Sequence, residues 1–153
     1  MDGCNRFPVR KNTRMKFYDY STPNYYFVTI CTKEKNCLFW NGQELNQMGI
    51  LAREGFLQIP IHYPDAYVDK FVGMPNHVHA IIVLEKSDLS AIVGSYKSYV
   101  SKKIHEKYGD FPVWQVSFHD HVIRNQQSYE KIWQYIETNP IRWQEDCFYK
   151  ETE

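Results

Sequence analysis

The sequence predicts an α+β fold, a β-α-β-β-α-β run in the ferredoxin-like, split βαβ arrangement, with an antiparallel sheet and one extra C-terminal helix. Three observations lead there. Short segments rich in β-branched and aromatic residues alternate with longer ones whose apolar residues recur at helical spacing. Two of the strand-like segments are joined only by Met74-Pro75-Asn76, a connection short enough to make them antiparallel neighbours. The 153 residues, 43% of them hydrophobic, suffice for one core, and no repeat, low-complexity stretch or Gly/Ser linker divides them. Residues 1–153 therefore read as a single domain, with residues 1–20 as a basic N-terminal arm lacking periodicity.

The elements follow in order. Tyr25–Thr32 (YYFVTICT) is a strand by composition. Gly42–Gln58 reads as a helix, with Leu45, Met48, Leu51, Ala52, Gly55 and Phe56 at helical spacing and Pro60 beyond its end. Ala66–Met74 and His77–Leu84 are the paired strands. Ser87 or Asp88 caps a helix running to His105, with Leu89, Ile92, Val93, Tyr96, Val100 and Ile104 on one face and Gly109 as its stop. A fourth strand covers Trp114–Phe118, extensible to Ile123. Ser128 caps the last helix, which ends at Asn139-Pro140, and the tail after it is irregular.

No apolar run approaches the roughly 20 residues that span a bilayer, and the N-terminus lacks the apolar core of a signal peptide. The expected location is cytoplasmic, with no membrane partner. Cys4, Cys31, Cys37 and Cys147 show no CxxC spacing and read as free thiols. The net charge is zero, unlike a typical duplex-DNA binder. The charge is uneven, however. Residues 1–16 carry Arg6, Arg10, Lys11, Arg14 and Lys16 against Asp2, and residues 86–107 carry five lysines against Asp88 and Glu106. Either patch could hold a phosphate backbone or be an ordinary solvated surface.

The sharpest local feature is His77-Val78-His79. Side chains alternate along a strand, so both imidazoles share a face about 6.6 Å apart along the chain, a workable bite for one metal ion. The same spacing also occurs in ordinary sheets, and alone it leaves both readings open. On the last helix, Tyr129, Ile132, Trp133 and Ile136 form the apolar stripe, and Tyr135 lies to one side of it. Asn139, four residues on, shares that flank and offers an amide oxygen to a hard cation. A half-buried tyrosine and a helix-ending Asn-Pro fit the same spacing.

Together these segments resemble the one-tyrosine HUH transposases, most closely the REP-associated tyrosine transposases, over nearly the whole chain. MPNHVHAIIVL is similar to the family's HUH strand and YEKIWQYIETNPIRW to its tyrosine helix. WQVSFHDHVIRN is similar to the segment before that helix, and RKNTRMKFYDYSTPNYYFVTICT to the arm and first strand.

The resemblance implies a metal-dependent single-strand DNA transesterase. Tyr135 falls on the catalytic tyrosine, and His77 and His79 fall on the metal ligands. Asn139 stands where relatives place a polar third ligand, often glutamine. His121 matches a position that is often histidine in relatives and is given no role, while His62 and His105 are surface or structural. The implied cofactor is a divalent metal, Mg2+ or Mn2+, and the implied partner is single-stranded or hairpin DNA. The tyrosine would form a 5′-phosphotyrosine and release a 3′-hydroxyl. Arg6, Arg10, Lys11 and Arg14 of the arm, with Lys97 and Lys102, are the candidate DNA contacts. One nucleophile per chain holds one cleaved strand, so a homodimer and a monomer both stay open. Competing readings are a catalytically decayed DNA-binding module, a phosphodiesterase using water, and an interaction protein with fortuitous histidines.

Overall fold

Strand β1 (Asn24–Cys31) forms where NYYFVTIC concentrates β-branched and aromatic residues, and it lies at the centre of a four-stranded antiparallel sheet. The sheet order is β4 (Ala66–Gly73), β5 (His77–Leu84), β1, β6 (His119–Ile123). Between them in the chain come the two-residue strands β2 (Trp40–Asn41) and β3 (Glu44–Leu45) and the helices α1 (Gln47–Leu57) and α2 (Ile59–His62). Then follow α3 (Leu89–Tyr108) and the added helix α4 (Gln126–Thr138). This is the predicted split βαβ fold: β1 and β4 are separated by β5, which runs against both. The computed structural model describes residues 24–145. The predicted basic arm, with Arg6, Arg10, Lys11 and Arg14, lies outside the described residues.

All eight residues of β5 are buried, because both faces of the sheet are covered. On one face Val78, Ala80, Ile82 and Leu84 join Tyr26, Val28 and Ile30 of β1 in a core closed by α1 and α3. There Gly55 of α1 sits so near Tyr96 and Val100 of α3 that a Cβ would lie 2.6 Å from the Val100 side chain. The Phe56 ring stacks on Tyr96 at 4.3 Å. On the other face Phe27, Ile81 and Ile123 meet Ile132 and Ile136 of α4 in a smaller core. The edge strand β4 alternates instead, and a bulge between Val68 and Lys70 turns both Asp69 and Lys70 to α4. Asp69 accepts a hydrogen bond from the Tyr129 hydroxyl. Lys70 lies 3.8 Å from the centre of the Trp133 ring and pairs with Glu137. Both halves of α4 are therefore tied to β4.

Four boundaries differ from the sequence reading. The helix expected from Gly42 begins at Gln47, because Asn41-Gly42 makes a hairpin instead. Gly42 (φ 71) takes the first central position of the turn, where a type II′ hairpin puts glycine. Asn46 caps α1 by accepting the Gly49 N–H, and its amide holds the Leu38 carbonyl. Pro60 follows the end of α1 as expected, and it sits in the first turn of the short helix α2. Trp114 makes only an isolated bridge to Thr32, and the fourth strand lies wholly at His119–Ile123. Asn125, not Ser128, caps α4, its side chain accepting the Ser128 N–H at 2.8 Å. Asp88 does hold the cap position of α3, without a side-chain bond, and the helix runs past His105 to Tyr108, where Gly109 (φ 96) stops it.

Asp65 fastens the start of β4 to the turn between β5 and α3. Its carboxylate accepts the N–H groups of Glu85, Lys86 and Ser87 and the Ser87 hydroxyl. The Ser87 hydroxyl and these N–H groups hold its pKa well below the usual carboxylate range. Asp65→Ala is expected to lower stability by about 2 kcal/mol at pH 7, the scale of hydrogen bonds to a charged group. Because the folded pKa is depressed, this stability is present above about pH 4 and is lost as pH falls below it. Urea unfolding of both proteins at pH 7 and pH 3 should show the difference shrinking.

Candidate active site

Strand alternation and the pairing register assemble the site. Cys31 stands opposite His77 and Thr29 opposite His79, so these four side chains share the α4 face of the sheet. On the other side of β1, His119 is paired with Thr29 and His121 with Phe27, which places both on that face too. Helix α4 and the 3₁₀ turn Trp143–Glu145 lie over it. The Tyr135 ring meets His79 edge-on at 5.3 Å and Phe27 at 6.0 Å, and Trp143 packs 6.1 Å from His77.

The two imidazoles point their Nε2 atoms at one another, 3.0 Å apart. Each ring is held from behind. The Asn76 carboxamide oxygen lies 2.8 Å from His77 Nδ1, and the Thr29 hydroxyl lies 2.8 Å from His79 Nδ1. A carboxamide oxygen only accepts, so His77 carries its proton on Nδ1 and turns the Nε2 lone pair inward. The same amide donates its N–H to the Lys35 carbonyl, which fixes its orientation. Burial, with the Lys35 charge adding to it, pulls the His77 pKa down to about 3, so the ring is neutral at neutral pH.

This donor set fits a divalent cation. Two nitrogens about 2.1 Å from one ion at a right angle stand about 3.0 Å apart. Neutral imidazoles oriented through Nδ1 are the ligating form. Asn139 supplies an independent sign. It is buried, and its Oδ1 has no hydrogen-bond partner among the described residues, an uncommon state for a buried amide oxygen. It lies four residues after Tyr135 and four before Trp143, the side chains that stand against His79 and His77. Among the described residues no group of three or more His, Cys, Asp or Glu side chains gathers into a metal site.

The chain matches the family described as IS200-like transposases over residues 21–139. The chain belongs to the IS200-like transposase family. Members of this HUH group use divalent metals, and membership places the chain among the enzymes of DNA transposition. It is 32% identical to an uncharacterised protein of Haemophilus influenzae, the match covering 92% of this chain and 93% of the other. Its fold is similar to that of a REP-associated tyrosine transposase solved with a REP hairpin, at 22% identity and a TM-score of 0.66. That match covers 87% of this chain and 74% of the other. A crystal structure of a candidate transposase from Deinococcus radiodurans R1 is similar at 13% identity and a TM-score of 0.57, over 82% of this chain and 96% of that one.

The structure brings His77, His79 and Tyr135 together, with Asn139 one turn on. It gives the expected DNA contacts other surroundings. Lys97 donates to the carbonyls of Gln115, Val116 and Ser117, so a phosphate would compete with three partners already in place. Lys102 is exposed on α3, in the layer across the sheet from the histidines. The histidines are buried under Tyr135 and Trp143. Among the described residues no helix is long and apolar enough to cross a membrane.

Sequence reasoning missed Thr29, Asn76 and Trp143. Trp143 ends the NPIRW segment and Asn76 sits in the MPN turn, so both were in view without a role. Thr29 has no local signal, since only the register sets it opposite His79. Asn76→Ala should weaken Mn2+ binding by about 10- to 100-fold, the usual cost of losing a group that orients a ligand. Titration of Mn2+ followed by water-proton relaxation checks this, and unchanged affinity would remove Asn76 from the metal's support.

Proposed function

We propose that this IS200-like transposase nicks and rejoins single-stranded DNA through a covalent 5′-phosphotyrosine at Tyr135, with hairpin-forming DNA as its substrate. The observation that carries the reading is the packing of Tyr135 against His79, whose Nε2 converges with that of His77. Helix α4 holds a second tyrosine in the described residues, Tyr129, but its hydroxyl donates to Asp69. That bond pushes its pKa up to about 12, which suits it to tying down the helix.

The Tyr135 oxygen attacks the phosphorus, the bond to the 3′-oxygen breaks, and the 3′-oxygen leaves as a hydroxyl. The phosphotyrosine conserves the bond energy, so a later 3′-hydroxyl can reverse the step without a nucleotide cofactor. His77, His79 and Asn139 would hold a divalent cation, Mg2+ or Mn2+, which supplies Lewis acidity at the phosphate. Asn76 and Thr29 keep the imidazoles turned inward, while Phe27 and Trp143 exclude water around them. The relative solved with a REP hairpin supports a hairpin substrate, and a homodimer would supply two nucleophiles for excision and rejoining. The arm residues Arg6, Arg10, Lys11 and Arg14 and the exposed Lys102 are proposed backbone contacts. Lys97 would act there by holding residues 115–117 in place.

Two outcomes test the reading. End-labelled hairpin DNA incubated with Mn2+ should migrate with wild-type protein on a denaturing gel and should not do so with Tyr135→Phe, whose DNA binding and melting temperature stay near normal. Nicking with no covalent species would assign the chemistry to water instead. Deleting residues 1–16, which carry five basic side chains, should weaken binding and flatten its salt dependence. The logarithmic slope should fall by up to about 3.5, at about 0.7 per phosphate contact on single strands. An unaltered slope would show that the arm touches no phosphate.

A further inference from the structure

A hollow of about 470 Å³ lies where the chain turns from β6 into α4, a volume within the range of small-ligand pockets. Its lining joins Tyr25 and Ile123, paired across β1 and β6, to Arg124, Asn125, Gln126 and Tyr129 of the turn and the first part of α4.

The two tyrosine rings are held in advance of any ligand. Tyr129 meets Tyr25 edge-on at 5.8 Å. The Tyr129 hydroxyl donates to Asp69, and the Tyr25 side chain is hydrogen-bonded to that of Tyr67. Both hydroxyls are thus engaged with β4, and what the tyrosines offer a ligand is ring surface. The amides complement the rings. Asn125 Oδ1 accepts the Ser128 N–H, which leaves its N–H2 as a donor. Gln126 Nε2 donates to Glu130, which leaves its Oε1 as an acceptor. Among the described residues that line the hollow, Arg124 is the one charged side chain. Its charge attracts a phosphate whether or not the guanidinium also bonds within the protein. Ring surface, a donor, an acceptor and a positive charge match a nucleotide of a single strand, whose base has a face to stack and an edge that donates and accepts.

The strand register connects the hollow to the imidazoles. His119, His121 and Ile123 of β6 stand opposite Thr29, Phe27 and Tyr25 and share the α4 face of the sheet. Thr29 is bonded to His79, and Phe27 stacks on that ring at 5.2 Å. One end of the β6 row therefore lies beside the converging nitrogens, and the other end lines the hollow. Strand β6 is at the edge of the sheet, with His119 exposed and His121 half-buried, so the row is open to solvent beside α4. From His119 to Ile123 the strand rises about 13 Å, at ~3.3 Å per residue. That is the length of about four stacked nucleotides at ~3.4 Å each.

We propose that the hollow takes one unpaired nucleobase of the strand that Tyr135 attacks, and so sets which linkage reaches the imidazoles. The inference rests on the strand-transfer reading above and adds a specificity site outside the reacting groups. No bond is made or broken in the hollow. A base seated there, with its strand laid along β6, holds the attacked phosphate at a fixed offset of about four nucleotides or fewer. Stacking supplies most of the affinity, because every base has a face, and the Asn125 and Gln126 amides supply the preference among bases.

The probe is a DNA hairpin with unpaired flanks, the tightest binder from a library randomised in stem and flanks. Binding is measured in a Tyr135→Phe background, with an abasic residue moved one position at a time along the flanks. At one position near the cleaved linkage the abasic residue should weaken binding by about 5- to 100-fold, the range for one stacked base. It should cost almost nothing to the Tyr25→Leu protein, which keeps an apolar side chain but no ring. Gln126→Ala, an exposed substitution, should keep the abasic effect and narrow the spread of affinities among the four natural bases at that position. In nicking with Mn2+, protein with Tyr25 should cut one linkage, and Tyr25→Leu should cut its neighbours as well. Equal losses in both proteins at every position, or cutting by Tyr25→Leu confined to the wild-type linkage, would overturn the base site. The strand-transfer reading would then still stand on covalent capture of label by Tyr135. If Tyr25→Leu melts well below wild type, the Gln126→Ala spread decides, and an unchanged spread overturns the proposal. If covalent capture fails on every library hairpin, the proposal falls together with the reading under it.

Discussion

Strand β5 is buried on both faces, and the rest of the structure follows from how each face is closed. An alternating strand covered on one side would show its polar residues to water. Here Val78, Ala80, Ile82 and Leu84 need the α1–α3 layer, and His77, His79 and Ile81 need α4 on the other side. The side-chain period of two makes the arrangement unforgiving, since a slip of one residue against β1 would carry both histidines into the larger core. The same register sets Thr29 behind His79, so the alignment that packs the sheet also orients a ring. Helix α4 closes the lower face and positions Tyr135 in one act. Its buried Ile132 and Ile136 fix its rotation, and Asp69 and Lys70, both turned over by the β4 bulge, fix its ends.

Much of this was legible in the sequence, and the reasons are local. The alternation HVHAIIVL and the periodicity of residues 89–104 state their own geometry, and the turn MPN permits only a close antiparallel pair. Tyr135 could be separated from the stripe of its helix by angle alone, and the structure finds it half-buried against His79 and Phe27. What escaped depends on competition or on distant pairing. Leu45 fits the helical apolar spacing of the residues after it, yet Asn41-Gly42 wins as a hairpin turn because Trp40 is anchored elsewhere, its indole donating to the Gly73 carbonyl. Trp114–Phe118 has strand composition, but its one β-bridge is at Trp114, across from Thr32. The sheet edge is taken instead by the histidine-bearing residues that follow.

Lys97 illustrates the gap between where a charge lies and what it does. Periodicity places it off the apolar stripe of α3, which reads as exposure. In the fold, residues 115–117 cross above it and present three carbonyls, and desolvation lowers its pKa. Its charge secures the segment that leads into β6.

The enclosure of the histidines bears on how the site can work. With both rings buried, water is kept from them, and the interaction of a charge with a phosphate is stronger where solvent does not screen it. Enclosure also sets a condition, because a phosphodiester cannot reach Nε2 of either ring while Trp143 covers His77 and Tyr135 covers His79. These two covers are unequally fixed. Tyr135 belongs to a helix pinned at both ends to β4. Trp143 sits in a single 3₁₀ turn beyond the helix cap, held by packing against Trp40 and His77. A covering group carried by a single 3₁₀ turn yields at lower cost than one carried by a packed helix. In the proposed reaction, access to the imidazoles would therefore run past Trp143 and not past the helix that carries Tyr135.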